Sequence, residues 1–199
     1  MNITNISILP IEGKTATKAI ATVILDNAIA MHGLSVVQRK DGGLFVAMAA
    51  RLNDKTQRYE DIYYHPISVE AREDLTKKVL DAYAKVQENP DVRSFDMGDP
   101  EKKMKLDSIR LRDTSGKSLK SACIVLDDGM LLSRIAICSN SETGELYLRM
   151  PSRKTKDNNL RDVFHPISAE AREQLTEAIL AAYKADCEKA EPSETPAAE

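Results

Sequence analysis

Two groups of residues in this chain have types and spacing suited to chemistry. His65 and His165 each open a nearly identical segment, HPISVEARE at 65–73 and HPISAEARE at 165–173, one hundred positions apart. Histidine is the usual general base near neutral pH. The second group is basic: Arg149, Arg153, Lys154, Lys156 and Arg161 fall within thirteen residues, with Tyr147 just before them. Guanidinium and ammonium groups beside an aromatic ring suit phosphates and stacked bases.

Around the histidines, the partners that catalysis needs are missing. The first copy has no cysteine, no Ser-His-Asp order recurs in the second, and neither has a Gly-rich phosphate loop. Cys123, Cys138 and Cys187 make an odd count without a CxxC pair, and no histidine stands at a metal-ligand spacing. No disulfide, structural zinc, cofactor or catalytic residue is expected, and the chain reads as a non-enzyme. A histidine before proline is more simply a strand-end side chain beside a helix start.

The elements that must position these residues come in two copies. HPISVEAREDLTKKVLDAY (65–83) and HPISAEAREQLTEAILAAY (165–183) agree at 13 of 19 positions. The match continues backwards through LFVAMAAR (44–51) against LYLRMPSR (146–153) and ATVILD (21–26) against ACIVLD (122–127). Two units therefore span 1–88 and 102–187, joined by a Pro-, Gly- and Asp-rich linker at 89–101 and followed by an acidic tail at 188–199 expected to be disordered.

Apolar and polar residues alternate along most of each unit, as in Ile109 and Leu111 against Arg110 and Arg112, which predicts strands with one wet face. Asp26-Asn27 and Asp127-Asp128-Gly129 lie between apolar runs as hairpin turns. Pro66 and Pro166 must end the last strand, because proline cannot donate to a ladder. Ser68 and Ser168 then cap a helix, with Glu70 and Glu170 in its first turn. Ala71, Leu75, Val79 and Tyr83, matched by Ala171, Leu175, Ile179 and Tyr183, form one apolar stripe that only the sheet can bury. The fold class is α+β: two tandem repeats, each an antiparallel meander of four to five strands followed by one amphipathic C-terminal helix. The first copy has one extra residue between Asp61 and His65, and a β-bulge near Ile62 to Tyr64 is expected there.

At 199 residues and 42% hydrophobic composition, the chain can bury a sizeable core. With no tryptophan and 5% aromatics, that core must be mainly aliphatic. No apolar run approaches the roughly 18 residues of a membrane span, so a soluble, cytoplasmic protein is expected.

The strand pattern, then LYLRMPSRKTKDNNLRDVFHPIS, then one amphipathic helix, resembles the SpoVG family of bacterial septation and sporulation regulators. The likeness covers nearly all of the second unit and the first more loosely. It implies small DNA- and RNA-binding proteins of about half this length that form homodimers, and hence two such units fused as an intramolecular pseudo-dimer, with further homo-oligomers open. It places the family's basic pair on Arg153 and Lys154, and its Arg-Asp on Arg161 and Asp162. In the first unit Met48-Ala49-Ala50-Arg51-Leu52 departs from that pattern, and only Arg51, Lys55 and Arg58 remain as candidate contacts.

Charge supports the same division. The whole chain is net −3, yet residues 1–88 are neutral and 102–187 are +3, the linker and the tail being −3 each. Nucleic-acid binding centred on the second unit is one reading. The alternative is a protein-interaction module that uses sheet edges or the acidic segments.

Overall fold

In the computed structural model, residues 1–53, 57–60, 62–114, 116–155 and 157–190 are described. The first repeat begins with β1 (Ile3–Pro10), β2 (Thr17–Leu25), β3 (Ile29–Gln38) and β4 (Leu44–Ala47). A short hairpin, β5 (Arg51–Asn53) and β6 (Arg58–Glu60), leads to β7 (Tyr64–Pro66) and helix α1 (Val69–Glu88). After β8 (Ser94–Asp96) the second repeat follows the same order: β9 (Leu106–Asp113), β10 (Lys120–Leu126), β11 (Met130–Ser139) and β12 (Leu146–Arg149). Hairpin β13 (Ser152–Lys154) and β14 (Leu160–Asp162), strand β15 (Phe164–Pro166) and helix α2 (Ala169–Ala190) complete it.

Both meander turns have a left-handed backbone at their two central residues, φ 50° and 49° at Asp26 and Asn27 and 47° at Asp127 and Asp128. That conformation matches the twist of the flanking strands, and Asn and Asp tolerate it better than other side chains. The helix starts also follow their sequence signals. The Ala71 and Ala171 backbone N–H groups each donate to the capping serine hydroxyl, Ser68 or Ser168, at 3.1 Å. Leu75, Val79, Leu175 and Ile179 are fully buried under the sheets.

The sheets are not built from one repeat each. β7 pairs with β11 of the second repeat (His65↔Leu131), while β15 pairs with β3 of the first (His165↔Ala30). Each repeat thus lends its final strand, and the side chain that anchors it, to the other. Tyr64 on β7 and Phe164 on β15 are both 0% exposed, within one core that draws on both repeats.

Three expectations change at this level. β7 and β15 pair without any register shift, so the extra residue of the first repeat is not a bulge in that strand. It falls in the preceding connection, where the Ile62 N–H donates to the Glu60 carbonyl at 2.9 Å. The segment 89–101 is also more than a linker, because β8 adds to the edge of the first sheet beside β1. Helix α2 runs to Ala190, past the expected end of the repeat, and the rest of the acidic tail, 191–199, lies outside the described residues. No helix among the described residues is long and apolar enough to cross a membrane.

Asp26 shows the cost of one turn. It is 5% exposed and neither carboxylate oxygen is hydrogen-bonded. Burial pushes its carboxyl above the ordinary range, and the charge of Asp127 adds to this against the pull of Lys102. A carboxyl whose pKa is raised on folding costs nothing below its unfolded value of about 3.9; the cost grows as pH rises above that value and is complete above the folded one. Asp26→Asn keeps a residue suited to φ 50° and removes the charge. It is expected to stabilise the protein at pH 7 by about 1 kcal/mol, a gain that vanishes near pH 3.5. Thermal unfolding of both proteins across that pH range checks it.

Candidate nucleic-acid interface

The exchange of strands places the basic hairpin of the second repeat over the sheet of the first. In β2, Ala19, Ala21, Val23 and Leu25 point into the core, which leaves Ile20 and Thr22 on the opposite face. Hairpin β13–β14 overhangs that face and encloses a cleft of about 760 Å³. Leu9 and Ile20 give it an apolar floor, and Arg93, Arg153, Arg161 and Arg172 converge on it from the inter-repeat segment, the hairpin and α2.

Arg153 and Arg161 are directly opposed across β13 and β14. Like charges in that position repel and destabilise a ladder. Among the described residues, none of the four arginines makes an ion pair, whereas Lys102, Lys105 and Lys120 each reach a carboxylate at 2.6 Å. Asp162 is the one carboxylate lining the cleft among the described residues.

One wall is a pair of imidazoles, one from each repeat. His32 and His165 stack with centroids 5.1 Å apart and planes 23° from parallel. The His32 N–H donates to the Val163 carbonyl at 2.8 Å, and its own carbonyl accepts from the Tyr64 hydroxyl at 2.7 Å. Its ring Nδ1 lies 3.0 Å from Thr22 Oγ1. Burial first, then the neighbouring His165 and Arg153, hold the His32 imidazole below its usual range. A neutral ring is the result, able to stack without adding a charge.

Gly33 lets the hairpin come close. It is the extra residue of a bulge in β3 with φ 82°, and a Cβ built there would stand 2.5 Å from Arg153 Nη2 and 3.0 Å from Cζ. The guanidinium therefore lies on bare backbone.

The sequence profile of the SpoVG family matches residues 1–85 and again 104–185. The chain belongs to the SpoVG family. A protein named septation protein SpoVG from Clostridium botulinum (strain Alaska E43 / Type E3) is 38% identical over 92 residues, 46% of this chain and 98% of the relative. One from Clostridium perfringens (strain 13 / Type A) is 39% identical over 93 residues, 47% of this chain and 99% of the relative. A third, septation protein SpoVG 1 of Listeria monocytogenes serovar 1/2a, is 34% identical over 98 residues, 48% and 94% of the two chains. Each of these relatives matches about one repeat's worth of sequence, so this SpoVG protein is a tandem of the unit.

Of the residues singled out in the second SpoVG repeat, Arg153 and Arg161 line the cleft, and Lys154 is exposed on the same hairpin. Tyr147 and Arg149 do share the exposed face of β12, but Arg149 turns toward the second sheet, where its Nη2 donates to Ser118 Oγ at 3.5 Å. They are not brought into the cleft. Lys55 and Lys156 lie outside the described residues, as do the side chains of Arg51 and Arg58, whose backbones form β5 and β6.

Sequence reasoning missed His32, Gly33, Arg93 and Arg172, and read His165 only as a strand end. One signal was available for Gly33: in the repeat register it faces Arg134, which keeps the left-handed backbone with φ 67°. The pseudo-equivalent recess on the second sheet, about 590 Å³, is lined by His65, Ser133 and Arg134. Serine there stands in the place of His32, so the ring pair is not repeated.

Proposed function

We propose that this SpoVG protein is a non-enzymatic, nucleic-acid-binding regulator that works in septation or sporulation in the bacterial cytoplasm. DNA or RNA is held through the basic hairpin of the second repeat, and the two repeats act together as an intramolecular pseudo-dimer. The observation that carries this reading is the opposed pair Arg153 and Arg161, with Arg93 and Arg172 beside them and no carboxylate paired to any of the four among the described residues. Positive charges held together at a cost in repulsion, and left unneutralised, are suited to phosphate. The acidic segments and the net charge of −3 do not oppose this, because the balance is local to the folded face.

Electrophoretic mobility shift at low and high salt tests it. About five phosphate contacts give a slope of log affinity against log salt near −4 to −5 on duplex DNA. Arg153→Ala combined with Lys154→Ala is expected to weaken binding about 10-fold at 50 mM salt and to flatten the slope by about 2. Absence of a shift with any DNA or RNA at low salt would move the reading to a protein partner.

A further inference from the structure

The nucleic-acid reading leaves part of the cleft unexplained. Phosphate contact requires only the arginines on its rim, yet the cleft also has an apolar floor and a wall of stacked rings. Leu9 is 57% exposed at the edge of that floor. A large aliphatic side chain beside four guanidinium groups does nothing for a duplex whose bases stay paired inside its backbone. It is suited to the face of an unpaired base.

We propose that the cleft seats an unpaired base of a single strand, with its phosphate on Arg153 and Arg161, and that the chain has one such seat. This rests on the nucleic-acid function proposed above. The base lies against Ile20 and Leu9 and meets the edge of the His32–His165 stack. Single strands are bound in this way, by stacking surfaces beside a basic track, because every base has a π-face that rings and aliphatic chains can cover. The size agrees: about 760 Å³ lies within the range of small-molecule sites, while a duplex keeps its bases paired inside its backbone and out of reach of such a cleft. The second recess does not repeat the seat. Ser133 replaces the ring of His32 there, and Arg134 has a side chain where Gly33 leaves bare backbone.

The test uses the full chain and fluorescence anisotropy with a 5′-fluorescein-labelled, mixed-sequence DNA of 12 nucleotides, single-stranded or annealed to its complement, at 50 mM salt. The single strand is expected to bind about 10-fold more tightly than the duplex, with one strand per chain by titration. His32→Ser, which copies the second repeat, is expected to weaken the single strand about 10-fold and leave the duplex within 2-fold. Leu9→Ser, at a position 57% exposed, is expected to weaken it about 3-fold. Circular dichroism confirms that both variants fold. A duplex that binds as tightly as the single strand, two strands per chain, or single-strand affinity unchanged in Leu9→Ser overturns the seat and leaves nucleic-acid binding standing. No binding of either probe at 20 mM salt overturns both.

Discussion

Phe164→Ala is expected to cost about 3–5 kcal/mol, read as a lower urea midpoint with an unchanged slope. The side chain is 0% exposed, on a three-residue strand, and its neighbour Val163 is equally buried. Truncation removes the apolar area and leaves a cavity that a close-packed core fills only in part. The position makes the effect more than local. β15 belongs to the second repeat but completes the first sheet, where Phe164 stands opposite Met31. β7 does the reverse opposite β11. Loss of Phe164 therefore weakens both halves, and the variant should still unfold in one transition by circular dichroism. Two separate transitions would mean that the repeats fold independently despite their shared core.

The parts of this fold that local rules determine were legible in the sequence. Asp26-Asn27 and Asp127-Asp128 are turns because their residue types tolerate the left-handed backbone that a tight hairpin needs. Pro66 and Pro166 end strands, and Ser68 and Ser168 cap helices, for reasons contained in a few neighbouring residues. The exchange of β7 and β15 was not legible in that way. An alternating strand of three residues reads the same whichever sheet accepts it. Family likeness implied two paired units, but no local pattern at His65 or His165 distinguishes its own sheet from the other.

The candidate site divides along the same line. Arg153 and Arg161 are neighbours across one short hairpin, so a basic run in the sequence was enough to find them. Arg149 is in the same run and goes elsewhere, because β12 follows the second sheet while the hairpin leaves it. His32 and Arg93 meet Arg153 only once strand exchange has laid the second repeat's hairpin on the first repeat's sheet, where Arg172 joins them from the helix of the hairpin's own repeat. Residues so distant in sequence give no periodic signal of their joint location. Gly33 was the exception, because its mismatch with Arg134 marks a place where the two copies differ.

That mismatch yields the most selective change available in the cleft. Gly33→Asp is expected to lower nucleic-acid affinity about 100-fold at 50 mM salt, measured by anisotropy. Aspartate tolerates a positive φ at a cost of about 1 kcal/mol, and Arg134 at φ 67° in the second repeat indicates that this bulge accepts a side chain. The new carboxylate would stand against the Arg153 guanidinium, since even a Cβ there comes within 2.5 Å of Nη2. It would take up the charge that a phosphate needs and repel the phosphate itself. Gly33→Asn separates the two effects, because it displaces Arg153 by the same volume without the charge. A loss of only about 5-fold is expected for it. Equal losses in both variants would mean that the close approach at Gly33 matters and the free charge of Arg153 does not. In the opposite direction, Arg134→Gly should relieve the second bulge by about 1 kcal/mol and leave affinity unchanged, as only the cleft over the first sheet has the ring pair.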